Sequence, residues 1–296
     1  MSTTGTWTSI PEGWSALPFT GALPTTLFRY RSLSDDGVEK RLDFEVLDEG
    51  VFLAGADTLN DPDEGRIRWS AKGIYKTAVE VVMNVLLAQN SGANPVELLP
   101  QAWTIARSIV NSSKIPTETI DQMYAVLGKL LRIACFTTRP LNGPMWTHYG
   151  CFFNENREVI PHGGLCIEYE VNESWRMAGL WPVDYVEKRP EINLLARDSL
   201  ETQFAYATRV KSPDWAYEDE WRLVAYIEAK PPWPINLTAN SKLKMEGSVR
   251  SVILGLNAKG LAAQKVIDTI QKKAPQIALK RVIRDESTAA LTVVFL

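Results

Sequence analysis

The segment Trp215-Ala216-Tyr217-Glu218-Asp219-Glu220-Trp221-Arg222-Leu223-Val224 concentrates the groups best suited to chemistry. On an extended strand successive side chains alternate between faces, so Glu218, Glu220 and Arg222 project together while Trp221, Leu223 and Ala225 project the other way. Two carboxylates on one face suit reactions that pass through an oxocarbenium-like centre. One anion stabilises positive charge at a sugar carbon, and the other orients or deprotonates the incoming nucleophile. The same spacing also describes an ordinary ion pair, with Arg222 neutralising one glutamate on a solvated face.

Three further groups offer chemistry. Met145-Trp146-Thr147-His148-Tyr149 places one of only two histidines beside two aromatic residues. His148 and Tyr149 together can stack a flat ring and bind ribose hydroxyls, or they can belong to a packed aromatic cluster. Arg29 and Arg31 share one face of an early strand, where their forked donors could clamp a pyrophosphate or remain ordinary edge-strand charges. The turn Asn60-Asp61-Pro62-Asp63-Glu64-Gly65, with Asp57 before it, offers hard oxygen ligands for a divalent cation of the kind phosphodiester hydrolysis uses. It lacks the EF-hand spacing, and an Asx turn bonding its own backbone accounts for the same residues.

His148, Cys151, His162 and Cys166 form an HxxC followed by an HxxxC, a spacing akin to structural zinc sites. Cys166 falls within a strand-like run, and Glu155–Pro161 reads as a polar loop, so no metal is expected. The chain has only three cysteines, Cys135, Cys151 and Cys166, and no CxxC, which fits reduced thiols and a cytoplasmic setting.

These groups need a scaffold large enough to hold them. The sequence has 296 residues, of which 45% are hydrophobic and 23% charged, the balance of an ordinary globular chain. A net charge of −3 supplies no global attraction to nucleic acid or to an anionic membrane, so a phosphate-bearing ligand requires a local patch. The first residues show neither a basic region nor an apolar core of a signal peptide. The most apolar run, Val79–Ala88, is interrupted by Glu80 and Asn84 and falls far short of the ~20 residues of a membrane span. No membrane association is expected.

Residues 1–26 read as an irregular arm. Leu27–Arg31 reads as a strand, followed by a helix over Asp35–Leu47 that Ser32 or Ser34 could cap. A strand is expected at Val51–Leu53. From Ser70 to Arg132 the apolar spacing becomes helical: Ile74, Val79, Val82 and Leu86; then Ala102, Ile105 and Ile109; then Ile120, Met123, Val126 and Leu130. Beyond it, strands are expected at Ile133–Thr137, Leu165–Glu170, Trp221–Glu228, Val249–Leu256, Ile277–Ile283 and Ala290–Leu296. Helices are expected near Arg189–Tyr206 and Ala258–Lys273. Without regular βαβ alternation the expected class is α+β, a split or mixed sheet. Residues 27–296 then form one domain with a three-helix insertion at about 70–132. Neither GxGxxG after a strand nor GxxxxGK[ST] is present, so a Rossmann turn and a P-loop are both excluded.

Taken in order, several of these segments resemble the bacterial and phage family known as domain of unknown function 2971. They are Leu27-Phe28-Arg29-Tyr30-Arg31-Ser32, Leu59-Asn60-Asp61-Pro62-Asp63-Glu64, Ala134-Cys135-Phe136, Met145–Tyr149, Gly164-Leu165-Cys166-Ile167-Glu168-Tyr169, and Lys211 with Trp215 and Tyr217–Arg222. Asp63 departs from the aromatic residue common in that family, and Cys151–His162 looks like an added loop. The order Arg29-Tyr30-Arg31, Trp146-His148-Tyr149 and Glu218-x-Glu220 is also similar to ADP-ribosyltransferases, which hold NAD on a split sheet. That second resemblance implies NAD as substrate. Arg29, Tyr30, Arg31, Trp146 and Asn60 would then line the NAD site, with His148 and Tyr149 beside the nicotinamide. Glu220 would bond the ribose hydroxyl and stabilise the oxocarbenium, and Glu218 would orient a protein or nucleic-acid acceptor.

The expected activity is therefore ADP-ribosyl transfer or NAD hydrolysis, of a toxin-like or phage-defence kind. The alternatives are a metal-dependent nuclease or phosphoesterase using the acidic residues, and a non-catalytic binding or sensor module.

Overall fold

A computed structural model describes residues 19, 21–55, 58–61, 68–70, 75–90, 92–112, 131–154, 156, 158–188, 191–193, 207–227, 236–237, 242–245 and 247–296. The chain divides into two compact units. One comprises Met1–Ala16, Gly55–Leu131 and Asp184–Pro213, and the other Leu17–Ala54, Arg132–Val183 and Asp214–Leu296.

The second unit is built on a ten-stranded mixed sheet. Its main path uses β1 (Thr26–Arg31), β2 (Leu131–Thr137), β3 (Leu165–Glu170), β4 (Leu180–Pro182), β5 (Glu220–Ile227), β6 (Val249–Leu254), β7 (Ala278–Arg284) and β8 (Leu291–Phe295), in the spatial order β4-β5-β2-β1-β3-β6-β7-β8. β1 lies antiparallel to β3 with Thr26 opposite Glu170 and Arg31 opposite Leu165, and it meets β2 at Phe28 opposite Thr137. β3 occupies the middle, which is why Leu165, Cys166, Ile167 and Tyr169 are buried on both of its faces. β6 and β7 run parallel, a pairing that requires the long crossover supplied by the helix Gly260–Lys273. That helix turns Ala262, Ala263, Val266 and Ile270 inward at helical spacing and keeps Lys272 and Lys273 in its last turn.

Each sheet face has its own apolar cluster. On the first face Leu27, Phe136, Ile167, Tyr169, Trp175 and Leu223 pack beneath the helix Val38–Arg41 and its π-helical continuation Leu42–Leu47. On the second, Tyr30, Met145, Trp146, Cys166, Ile253 and Val282 pack with Tyr149 and Tyr217. The helix expected over Asp35–Leu47 is thus present from Val38 but widens into a π-turn. This widening buries Val46 and turns the polar Glu45 inward as well.

In the first unit, the helices Tyr75–Gln89 and Pro95–Ser112 pack through Ala78, Val82, Leu86, Ala102, Ala106 and Ile109. Short parallel strand pairs join Arg68–Ser70 to Glu191–Asn193 and Asp184–Tyr185 to Val210–Lys211. At the start of the stretch 189–206, where a helix is expected, Glu191–Asn193 forms a strand paired with Arg68–Ser70, while the first described residue after it, Ala207, is helical. The third expected helix, with its apolar positions at 120–130, lies outside the described residues, as do the arm 1–18, most of the turn at 62–65 and residues 194–206. Among the described residues no helix is long and apolar enough to cross a membrane. The class is α+β with a multi-stranded mixed sheet.

Candidate functional site

The strand β5 does not begin where the alternating pattern suggests. Pro213–Glu218 forms a 3-10 turn, and Asp219 adopts a left-handed backbone at φ 47°, so regular strand starts only at Glu220. Such a conformation in a residue other than glycine needs its surroundings to hold it. Thr138 donates its hydroxyl to the Asp219 carboxylate, Arg139 Nε lies 3.5 Å from the same group, and the Thr137 hydroxyl donates to the Glu218 carbonyl. Glu218 and Glu220 are consequently brought together by a kinked turn rather than by strand alternation. Both are buried, at 2% and 4% exposure.

Their environments differ. Arg222 forks onto Glu220, Nε to Oε1 at 2.7 Å and Nη2 to Oε2 at 2.9 Å, with the guanidinium itself buried. The ion pair read from the spacing is therefore present, but it lies inside the protein rather than on a solvated face. Glu218 accepts a 2.9 Å hydrogen bond from the Tyr149 hydroxyl. Burial first, and the Glu218 and Glu220 charges next, push the Tyr149 phenol above its ordinary value, so it remains a donor.

The surrounding frame is made by the segment from Arg139 to Tyr149. Asn142 caps the short helix Gly143–His148, its side-chain oxygen accepting from Met145 N with Pro144 in the first turn. The Asn142 amide donates to the Tyr217 carbonyl, and its backbone N–H donates to the Tyr30 hydroxyl at 3.2 Å. Tyr30 in turn donates to the Arg139 carbonyl at 2.7 Å, and burial raises its phenol above the usual range. Trp146 is fully buried, donates from Nε1 to the Pro140 carbonyl at 2.9 Å and meets the Tyr30 ring edge-on at 4.9 Å. Tyr30, Trp146, Tyr149, Glu218 and Glu220 thus occupy one face of the sheet.

The remaining expected site residues lie elsewhere. His148 is exposed, its ring 6.3 Å from that of Tyr149. Arg29 and Arg31 do not face the glutamates. They alternate with Tyr30 on β1 and point to the opposite side of the sheet, toward the helix and π-turn 38–47. There Arg31 forks onto Glu45, and Arg29 Nη2 donates to the Phe52 carbonyl at 2.7 Å. The physical reason is the two-residue period of the strand, which sets Tyr30 and its neighbouring arginines on different faces. Asn60 sits exposed in a bend of the first unit.

His162 stacks on Trp146 with ring centroids 6.3 Å apart and lies 3.4 Å from the Thr147 hydroxyl, while Cys166 is sealed inside β3. Among the described residues no group of three or more His, Cys, Asp or Glu side chains could hold a metal ion. Reasoning from spacing missed Asn142 and Thr137, which organise the site. Asn142-Gly143-Pro144 carries a readable helix-start signature, whereas nothing in the sequence flags Thr137.

Glu218 accepts from the neutral Tyr149 hydroxyl, and Glu220 is forked by Arg222, so two buried carboxylates stand on the sheet face that carries Tyr30, Trp146 and Tyr149. That arrangement can stabilise a developing cation and accept hydroxyl hydrogen bonds. Cavities of about 420 Å³, against Leu47, Glu49, Arg250 and Lys273, and about 370 Å³, against Phe44, Lys242 and Lys244, are lined by other residues of the same unit. Compared with known proteins, the chain matches no family model, no curated protein and no solved structure. What the site does therefore has to come from its own chemistry.

Proposed function

We propose that the protein consumes NAD, breaking the bond between nicotinamide and ribose as an ADP-ribosyl transferase or an NAD glycohydrolase. One observation carries the reading: the Tyr149 hydroxyl holds the Glu218 carboxylate at 2.9 Å on the sheet face that also gathers Tyr30 and Trp146. In this reading Glu218, rather than Glu220, stands at the sugar. It accepts a ribose hydroxyl and stabilises the oxocarbenium as the C–N bond breaks and its electron pair leaves with neutral nicotinamide. Water or a protein or nucleic-acid acceptor then attacks the sugar carbon and gives up a proton. Glu220 holds Arg222 in place beneath the site, and aromatic rings receive the nicotinamide. The arginines of β1 have no part in it.

The test uses the whole chain, NAD labelled separately in the nicotinamide and adenosine halves, and a cell lysate as acceptor source. Nicotinamide release or a labelled macromolecule is expected, falling about 10²–10⁴-fold in Glu218→Gln. Equal turnover by the wild type and Glu218→Gln refutes the assignment. A second reading, a non-catalytic binding or sensor module, is favoured by the Glu220–Arg222 fork, which uses both oxygens of one glutamate in a structural bond. Intact NAD throughout the lysate experiment is its expected result.

A further inference from the structure

The sheet face opposite the glutamates holds an imbalance of charge and of hydrogen-bond donors. Three guanidinium groups, Arg29, Arg31 and Arg41, surround a single buried carboxylate, Glu45, which Arg31 engages directly and Arg41 approaches to 3.7 Å. Arg29 is 6% exposed, and only one of its terminal nitrogens is used; Nη1 has no partner. Two more buried donors nearby also lack partners, the Tyr169 hydroxyl and Trp175 Nε1, both on fully buried side chains. All three side chains pack around one ring. The Arg29 guanidinium lies 5.4 Å from the Phe136 centroid, Tyr169 lies 5.6 Å from it and Trp175 5.1 Å, with Tyr169 and Trp175 5.5 Å apart.

Buried polar groups are almost always satisfied, and a cluster of orphans demands a common explanation. Every orphan here is able to donate, and the local surplus of charge is positive. A water molecule would bring two protons needing acceptors of their own and would leave that surplus unchanged. An anion accepts from all three donors and offsets the charge. Ring centroids only 5.1–5.6 Å apart make a tightly packed cluster, which suits a monatomic anion better than a phosphate. We propose that a halide ion, chloride under ordinary conditions, is bound among Arg29 Nη1, the Tyr169 hydroxyl and Trp175 Nε1. The ion ties β1 and β3 to the segment Glu173–Met177 and shares the arginine cluster with Glu45. It is independent of the NAD reading, which uses the other face of the sheet.

Crystals of the whole chain soaked in sodium bromide test the site directly. The expected result is one anomalous peak within hydrogen-bond reach of the three donors. In solution, thermal unfolding is followed at constant ionic strength as chloride replaces gluconate, which is too large to enter. The midpoint should rise with chloride concentration. Tyr169→Phe, which removes only the hydroxyl, should weaken that dependence at least tenfold, and Trp175→Phe provides a second variant if the first folds poorly. Ordered water in place of bromide, or a chloride response unchanged in Tyr169→Phe, overturns the proposal.

Discussion

Replacing Arg222 by Met removes a guanidinium that is 1% exposed while keeping an unbranched side chain of related length in its place. The two short bonds to Glu220 are lost together, and a carboxylate with 4% exposure is left in the interior without its forked partner. Breaking one side of a buried ion pair costs about 3–5 kcal/mol, because the surviving charge retains its desolvation penalty and loses its compensation. Against the ~5–15 kcal/mol that holds a domain together, this is a large fraction. Cavity formation contributes little, since Met fills much of the space along the arginine stem. Pairing the change with Glu220→Leu removes the stranded charge, and the double variant should regain most of the loss, giving a coupling of about 2 kcal/mol or more. Urea unfolding followed by tryptophan fluorescence measures all four corners of this cycle, provided the denaturant slopes agree. A cost under ~1 kcal/mol for Arg222→Met, or a double variant as unstable as the single, would refute the claim that this pair is a desolvated structural bond.

Three other perturbations probe separate parts of the second unit. Tyr149→Phe deletes the hydroxyl bonded to Glu218 and should cost about 1.5–3 kcal/mol in urea unfolding, with NAD turnover reduced in the same variant. Glu45 is pushed up by burial but pulled down further by Arg31, Arg29 and Arg41, so its folded carboxyl titrates below the ordinary 4.5. Its contribution is therefore complete above the unfolded value and is lost as pH falls through the folded one. Glu45→Gln should flatten the stability profile below about pH 4.5 in a pH series of chemical denaturation. At Gly164 an added Cβ would lie 2.3 Å from the Arg31 carbonyl, 2.7 Å from Gly150 C and 2.8 Å from the Cys151 carbonyl, all of them backbone atoms that cannot step aside. Gly164→Ala should cost about 1–3 kcal/mol or more by thermal unfolding.

Much of the second unit was legible because its segments carry one unambiguous period. Leu165–Glu170 was expected and found with the same boundaries, and β1, β2, β6, β7 and β8 fall within one or two residues of expectation. The failures have physical causes. At Glu218-Asp219-Glu220 the strand pattern continues through a residue whose left-handed backbone is imposed by Thr137, Thr138 and Arg139, more than seventy positions away. Long-range side-chain bonds of this kind leave no local periodicity. At Asp35–Leu47 the apolar spacing announces a helix but not its π-register, which follows from placing Glu45 against Arg31. For the candidate site, the residue types were visible and their convergence was not. Tyr30, Trp146, Tyr149 and the glutamates share one sheet face, whereas Arg29 and Arg31 lie across the sheet.

The run Leu27-Phe28-Arg29-Tyr30-Arg31 looks like one functional element in sequence and is two in space. A strand in the centre of a sheet serves two compartments, and residues one apart cannot act on the same ligand. Tyr30 is committed to the face of Asn142 and Trp146, and its neighbours to the face of Glu45 and Phe136. An arginine of β1 could reach a phosphate beside Glu218 only if the strand slipped by one residue, which would also carry Leu27 out of the core and Phe28 into it. The paired register from Thr26 to Arg31 opposes that slip with every bond in the ladder. Glu220 and Arg31 are each closed in a fork with a partner in the same unit, two and fourteen residues away. The chemistry proposed for the second face therefore rests on Glu218, which accepts from the Tyr149 hydroxyl, and the electrostatics of the first face turn on Arg29.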